Sequence, residues 1–220
     1  MNVRTAIASL RRSIPNEVKM VAVSKFHPVA MIQEAYDGGQ RLFGESRVQE
    51  LLSKQQQLPA DIEWHFVGGL QRNKVKQIAP FVALIHSLDS ERLMLEIEKQ
   101  GAACERVIPC LLQVHIAAEE TKAGFSPDEC LLFLKGGRWR ECMHVQLAGV
   151  MGMATYTDDS DQVRQEFRQL KSLFDSCKTH FFPDDPSFRD ISMGMSDDYS
   201  IAIEEGSSMV RLGSLIFGDR

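Results

Sequence analysis

The chain has 220 residues, 44% hydrophobic and 25% charged, the balance of an ordinary soluble globular protein and enough for one sizeable domain. Its formal net charge of −5 offers no electrostatic footprint for nucleic acid, and the basic stretch Arg72-Asn73-Lys74-Val75-Lys76, broken by apolar character, fits a solvated helix face. Five cysteines without a C-x-x-C pair argue against a disulfide framework or a zinc site, and no run reaches signal-peptide or membrane-span length, so a cytoplasmic protein without membrane contact is expected.

Val21, Ala22 and Val23 belong to an apolar run that closes at Lys25, as expected for a strand buried on both faces of a parallel sheet. Lys25 therefore stands at the carboxyl end of an interior strand, the edge at which α/β proteins place their chemistry. Burial would lower the pKa of its ammonium group and free the amine to attack an aldehyde; a solvated strand-end lysine is the plain alternative. Pro28 suits the first turn of a helix over 28–36, which Asp37-Gly38-Gly39 closes. A strand over 41–45, a helix over 48–57, a strand over 63–68, a helix over 71–78 and a strand over 82–87 follow. Ser90 caps a helix over 91–100, and the strand over 107–116 is the most hydrophobic. Ser126-Pro127-Asp128-Glu129 opens a capped helix with proline at its first position. A strand over 145–153, a helix over 160–177, a strand over 190–194, a helix over 197–205 and a strand over 209–213 complete the series. Only the two ends lack an assignment.

Eight strands, nearly all separated by helices, predict an α/β fold with a parallel sheet. Eight also closes a TIM barrel, so a single (β/α)8 domain over 1–220 is expected. An open doubly wound sheet is the competing architecture, but its usual nucleotide signatures, G-x-G-x-x-G after the first strand and G-x-x-x-x-G-K-[ST], are missing. Barrels often hold phosphate in the loops after strands seven and eight. Here those loops read Met193-Gly194-Met195-Ser196-Asp197 and Arg211-Leu212-Gly213-Ser214. Gly194 and Gly213 let backbone N–H groups approach an anion, Ser196 and Ser214 add hydroxyl donors, and the helix beginning near Asp197 adds its positive end. Barrel closure puts strand one beside strand eight and makes Lys25 a neighbour of the Gly213 loop. A lysine beside a phosphate cup is the minimal apparatus for pyridoxal 5′-phosphate.

The same residues carry a resemblance. Val21-Ala22-Val23-Ser24-Lys25, Phe43-Gly44-Glu45 with Val48-Gln49-Glu50, and Trp64-His65-Phe66-Val67-Gly68 match successive motifs of one family. So do Leu70-Gln71 with Asn73-Lys74, Lys122 with Gly124-Phe125, Ser192-Met193-Gly194-Met195-Ser196-Asp197-Asp198, and Met209-Val210-Arg211-Leu212-Gly213 with Ile216-Phe217-Gly218. The chain resembles the YggS/PROSC family of pyridoxal phosphate homeostasis proteins, in order from strand one to the C-terminus. The resemblance implies a barrel like the N-terminal domain of alanine racemase, with the cofactor held as a Schiff base on Lys25. It implies that Ser196 and the Arg211-Leu212-Gly213-Ser214 turn hold the phosphate. Arg211 either does so or faces the pyridine nitrogen. The expected cofactor-binding set is Lys25, Ser46, His65, Met195, Ser196, Arg211, Gly213 and Ser214, with no catalytic residue and no metal ligand.

Some positions depart from the family pattern. Ser46 stands where asparagine is usual, Gly69 where proline is usual, and Arg72 replaces a small polar residue beside Asn73. These changes bear on cofactor affinity and loop rigidity. The resemblance implies a protein that buffers or delivers pyridoxal phosphate, as a monomer or weak dimer with PLP-dependent apo-enzymes as partners, and that has no robust reaction of its own. The alternative is a small PLP-dependent enzyme such as a weak amino-acid racemase. Such an enzyme needs an acid or base on each reacting face. Alanine racemase-like enzymes take a tyrosine from a second, β-rich domain, which is not expected in a sequence that runs a few residues past strand eight. Tyr156 is the one tyrosine expected at the mouth. His27 reads as an exposed loop histidine, and Asp89 and Glu45 as residues that order the rim.

Overall fold

A computed structural model describes residues 2–118 and 123–218. Lys122, one of the motif residues, lies outside them. Strands β1 (Lys19–Val23), β2 (Leu42–Glu45), β3 (Glu63–Phe66), β4 (Leu84–Leu88), β5 (Ile108–Gln113), β6 (Val145–Met151), β7 (Asp190–Ser192) and β8 (Met209–Leu212) close into one barrel in sequence order. Every neighbouring pair is parallel, including β1 with β8, where Val21 lies opposite Arg211 and Ala22 opposite Leu212. The expected TIM barrel is therefore the observed fold. All eight strands fall within the predicted spans or a residue of them.

Around the barrel run helices α1 (Val3–Ser13), α2 (Val29–Asp37), α3 (Val48–Gln55), α4 (Val75–Ile78), α5 (Glu91–Ala103), α6 (Pro127–Gly136), α7 (Ser160–Phe181), α8 (Tyr199–Glu204) and α9 (Ser214–Phe217). The outward face of each strand meets this layer, so Ala22, Phe43, Phe66, Ile85 and Leu112 join one large apolar cluster with the helices. Inward residues form a smaller cluster of Val21, Leu84, Leu111, Ala148, Met151 and Met209. Burial on both faces is why the strands read as continuous apolar runs rather than as alternating ones.

α1 and α9 occupy the two ends left unassigned. α1 buries Val3, Ala6, Ile7 and Leu10, spaced for one helix face, and Asn2 caps it by accepting from the Thr5 N–H at 2.9 Å. It packs on α2 and α9 and thereby ties the chain ends together. Three boundaries differ from expectation. Pro28 is the N-cap of α2 rather than part of its first turn. The helix over 71–78 starts as a tighter 3₁₀ turn, Arg72–Lys74, before α4. α8 starts at Tyr199, because Asp198 turns back to accept from the Met195 N–H at 2.5 Å.

The start of α6 is the expected capping box: Ser126 Oγ accepts from the Glu129 N–H at 3.2 Å, and Glu129 Oε2 accepts from the Ser126 N–H at 2.7 Å. Ser126→Ala is expected to lower stability by about 1 kcal/mol, measured as a shift of the urea midpoint at unchanged slope.

Candidate functional site

Side chains alternate along a strand, so Val21, Val23 and Lys25 share the inward face while Ala22 and Ser24 face the helices. Lys25 follows the last residue of β1 by two positions and lines a cavity of about 470 Å³ at the carboxyl ends of the strands. Met195, Ser196, Arg211, Gly213 and Ser214 line the same cavity. Six of the eight expected site residues are thus brought together from opposite ends of the chain. The β1–β8 pairing does this, since Gly213 continues β8 directly beside the continuation of β1.

The cup is built from the two expected loops. Gly194 adopts φ 95°, and a Cβ there would lie 2.6 Å from the Ala202 Cβ, so only glycine lets α8 approach this closely. The Gly194 carbonyl accepts from the Arg211 N–H at 2.9 Å, and Ser196 Oγ accepts from the Gly213 N–H at 3.3 Å. Each loop therefore fixes the other. α9 begins at Ser214, which lines the cavity, and the Ile216 and Phe217 N–H groups both donate to the Gly213 carbonyl at 2.9 Å. Asp197, two residues before α8, lines the cavity as well. Asp198 sits behind the cup; burial raises its carboxyl above the ordinary range, against the pull of the Met195 N–H and the Arg211 charge.

Arg211 forms the floor. It is 5% exposed, and burial lowers its pKa to about 10, with Asp198 acting the other way, so it stays charged at neutral pH. Nη1 donates to the Ser192 carbonyl at 2.8 Å and to Ser192 Oγ at 2.6 Å, and Nη2 donates to the Gly152 carbonyl at 3.0 Å. The chain continues downward: Ser192 Oγ lies 3.0 Å from His86 Nδ1, and His86 Nε2 lies 2.9 Å from His65 Nδ1. A guanidinium only donates, so Ser192 Oγ accepts from Arg211. The Arg211 charge favours the direction in which the Ser192 proton goes to His86 Nδ1 rather than coming from it. His86 then carries its proton on Nε2 and donates to His65. Every donor points away from Arg211, which places the acceptor ends of the dipoles toward its charge.

Ser192→Ala removes the link between the arginine and the histidines. It is expected to cost about 1–3 kcal/mol in chemical denaturation, because the Arg211 and His86 atoms stay buried after losing their partner.

Two expected site residues lie elsewhere. His65 does not line the cavity: it is buried inside the barrel and borders a separate hollow at the amino ends of the strands, with Lys19, Glu63 and Asp190. A histidine in mid-strand reads the same from either end of a barrel, which is why its position could not be told. Ser46 is half-buried in the loop after β2 and is also absent from the lining. Its backbone packs against Gly68, where a Cβ would come within 2.3 Å of the Ser46 carbonyl oxygen. Gly69 has open space around it. Tyr156 does reach the mouth, 85% exposed. His27 lines the cavity too, stacked on Phe217 with ring centroids 4.8 Å apart. Among the described residues no cluster of His, Cys, Asp or Glu could hold a metal, and no helix is long and apolar enough to cross a membrane.

This geometry agrees with what the chain is similar to. The alanine racemase, N-terminal domain, family model matches residues 2–220. The pyridoxal phosphate homeostasis protein of Aquifex aeolicus is 39% identical over 206 residues, 93% of this chain and 88% of that protein. The chain belongs to the pyridoxal phosphate homeostasis protein family. Another member, from Schizosaccharomyces pombe, is 38% identical over 208 residues, 92% of this chain and 84% of that protein. Among solved structures, PipY of Synechococcus elongatus without PLP gives a TM-score of 0.91 at 34% identity, covering 99% of this chain and 100% of that one. The same protein with PLP bound gives 0.87 at 33% identity, with the same coverage. An alanine racemase of Clostridium difficile, 12% identical, gives 0.77 over 100% of this chain and 56% of that chain, a likeness of fold alone. The family thus shares the barrel of the racemases.

Proposed function

We propose that this chain binds pyridoxal 5′-phosphate at Lys25 and serves intracellular homeostasis of that cofactor, buffering or delivering it without robust catalysis. The observation that carries the reading is the meeting of Lys25 with the Ser196–Gly213–Ser214 cup in one cavity of about 470 Å³, the size class of small-ligand sites. The PLP-bound structure of PipY and the names of the relatives support it.

The residues present fit the group. The cup offers the Ser196 and Ser214 hydroxyls and the Ser214 backbone N–H at the start of α9 to a phosphate. Arg211 lies deeper on β8 than the Gly213 turn and is bonded to the Gly152 carbonyl, a position that favours the ring over the phosphate as its partner. When bound, the cofactor supplies an aldehyde that condenses with a primary amine, with loss of water. Lys25 provides that amine. Arg211, charged and fixed, would offer a donor to the ring nitrogen and so favour its unprotonated form. Such a donor also occurs in PLP enzymes, so Arg211 would orient the ring without by itself separating carriage from catalysis.

The enzymatic alternative needs a proton donor held over the reacting face and water kept out. Tyr156, the one tyrosine at the mouth, is 85% exposed, as expected of a rim residue rather than of a buried acid. An open mouth suits exchange with other amines and with PLP-dependent apo-enzymes. The five cysteines are free, in keeping with a cytoplasmic location. A single domain over 1–220, acting as a monomer or weak dimer, completes the reading.

The test is borohydride reduction of the protein with pyridoxal phosphate, followed by intact and peptide mass spectrometry. One phosphopyridoxyl group, confined to Lys25, is the expected result; scattered labelling of surface lysines would overturn the reading. Deuterium wash-in at the α carbon of amino acids then separates carrier from racemase, with no exchange expected.

A further inference from the structure

Lys25 is gripped from behind. The alternation that sends Lys25 into the cavity sends Ser24 outward under α3, and Ser24 Oγ donates to Glu45 Oε1 at 2.6 Å. Lys54, from α3, donates through Nζ to that same oxygen, to the Ser24 carbonyl and to Glu50 Oε1, each at 2.7 Å. Glu50 Oε1 also accepts the Phe26 backbone N–H at 2.5 Å. Phe26 is held at φ 68°, a left-handed conformation rare for an aromatic residue, with the Arg47 guanidinium 4.6 Å from its ring centre. The residues on both sides of Lys25 are therefore tied to one ammonium group.

Stability alone gives a poor account of this cluster. Glu45 is 0% and Lys54 5% exposed, and a buried ion pair is seldom more stabilising than an apolar pair of the same volume. Glu45 Oε2 is left buried without a partner. Yet the bonds that are made converge on Ser24 and Phe26, the two residues that set where the Lys25 side chain starts and points.

We propose that Lys54, Glu45 and Glu50 form a latch on the outer face of the barrel that positions Lys25 for the cavity. They are positioning residues: none of them lines the cavity, and each acts through the backbone on either side of the lysine. The latch deepens, and rests on, the reading that Lys25 carries the cofactor.

Two variants test it. The double change Lys54→Met and Glu45→Gln removes the buried charges together, so that no ion is stranded in the core. Glu50→Gln, at the more exposed end, keeps the fold and weakens the grip on Phe26. In each, amide hydrogen exchange at Phe26 and acetylation of Lys25 relative to the other lysines are measured without cofactor. Affinity for pyridoxal phosphate and circular dichroism in the cofactor absorption band, compared at matched occupancy, are measured with it. For the double variant we expect Phe26 exchange to quicken and cofactor affinity to fall about tenfold each, the factor of one charge-assisted hydrogen bond, with a weakened dichroic band from a less fixed ring. Glu50→Gln gives the same changes at smaller size. Folded variants with wild-type Phe26 exchange, Lys25 acetylation and dichroism would overturn the latch. If the wild-type protein forms no Lys25 adduct, the cofactor reading fails, and the cofactor-free measurements still decide whether Lys54 governs Lys25.

Discussion

Lys25→Ala is expected to abolish site-selective, borohydride-stable incorporation of pyridoxal phosphate. Among the described residues that line the cavity, Lys25 is the one lysine, so no other of them supplies an amine. Selectivity arises from proximity. A phosphate seated on Ser196, Gly213 and Ser214 holds the aldehyde beside Lys25 and turns a bimolecular encounter into a local one. Lys25 should therefore be labelled at least about a hundredfold faster than the average surface lysine, and the variant should retain only slow, scattered labelling. The cup contributes separately. Ser196→Ala removes one hydroxyl from the phosphate and the acceptor for the Gly213 N–H, and is expected to weaken binding about tenfold while leaving the adduct on Lys25. Peptide mapping of the two variants side by side checks both statements. A Lys25→Ala protein with a single strongly labelled lysine elsewhere would place the amine outside this cavity.

Much of this arrangement was legible in the sequence because a closed barrel converts order into adjacency. Once eight strands alternate with helices, strand one must lie beside strand eight, and the neighbourhood of Lys25 and Gly213 follows without knowledge of any side chain. Glycine and serine after a strand are ordinary turn residues, so each loop alone said little; it was their adjacency to Lys25 that pointed to an anion site. The latch was not legible. Glu45 reads as a residue that orders the rim and Lys54 has no reading beyond its place in the helix over 48–57, and nothing in their spacing shows that α3 docks with Lys54 directed under Ser24. The Arg211–Ser192–His86–His65 chain was hidden for the same reason: its members come from four strands, and their contact depends on stagger around the barrel. α1 was missed although Val3, Ala6, Ile7 and Leu10 keep helical spacing. Its buried face is completed only by α2 and α9, and α9 is too short to show a period.

Acid should destabilise this protein well before its carboxylates titrate, because two neutral histidines are sealed in the barrel. Burial, with the Lys19 charge adding to it, lowers His65 from 6.5 to about 3. Burial and the charges of His65, Arg211 and Lys19 push His86 down as well. The folded values lie below the unfolded value of about 6.5, so between them the unfolded chain binds more protons, and stability falls as pH falls. The contribution is fully present above about pH 6.5 and is lost progressively toward the folded values. Each unit below about pH 6.5 removes about 1.4 kcal/mol per histidine, so lowering the pH from about 7.5 to about 5 should cost about 2 kcal/mol for each, or about 4 for the pair. Burial raises the Glu45 and Asp198 carboxyls and gives them the opposite sign, offsetting part of the loss near their own titration. Comparison with His65→Gln isolates the histidine share: the variant is expected to start less stable at about pH 7.5 and to lose about 2 kcal/mol less by about pH 5 in urea denaturation. An equal loss in both proteins would mean that His65 is protonated in the folded barrel. Its Nδ1 would then carry a proton facing the donor end of His86, and the direction of the whole chain below Arg211 would have to reverse.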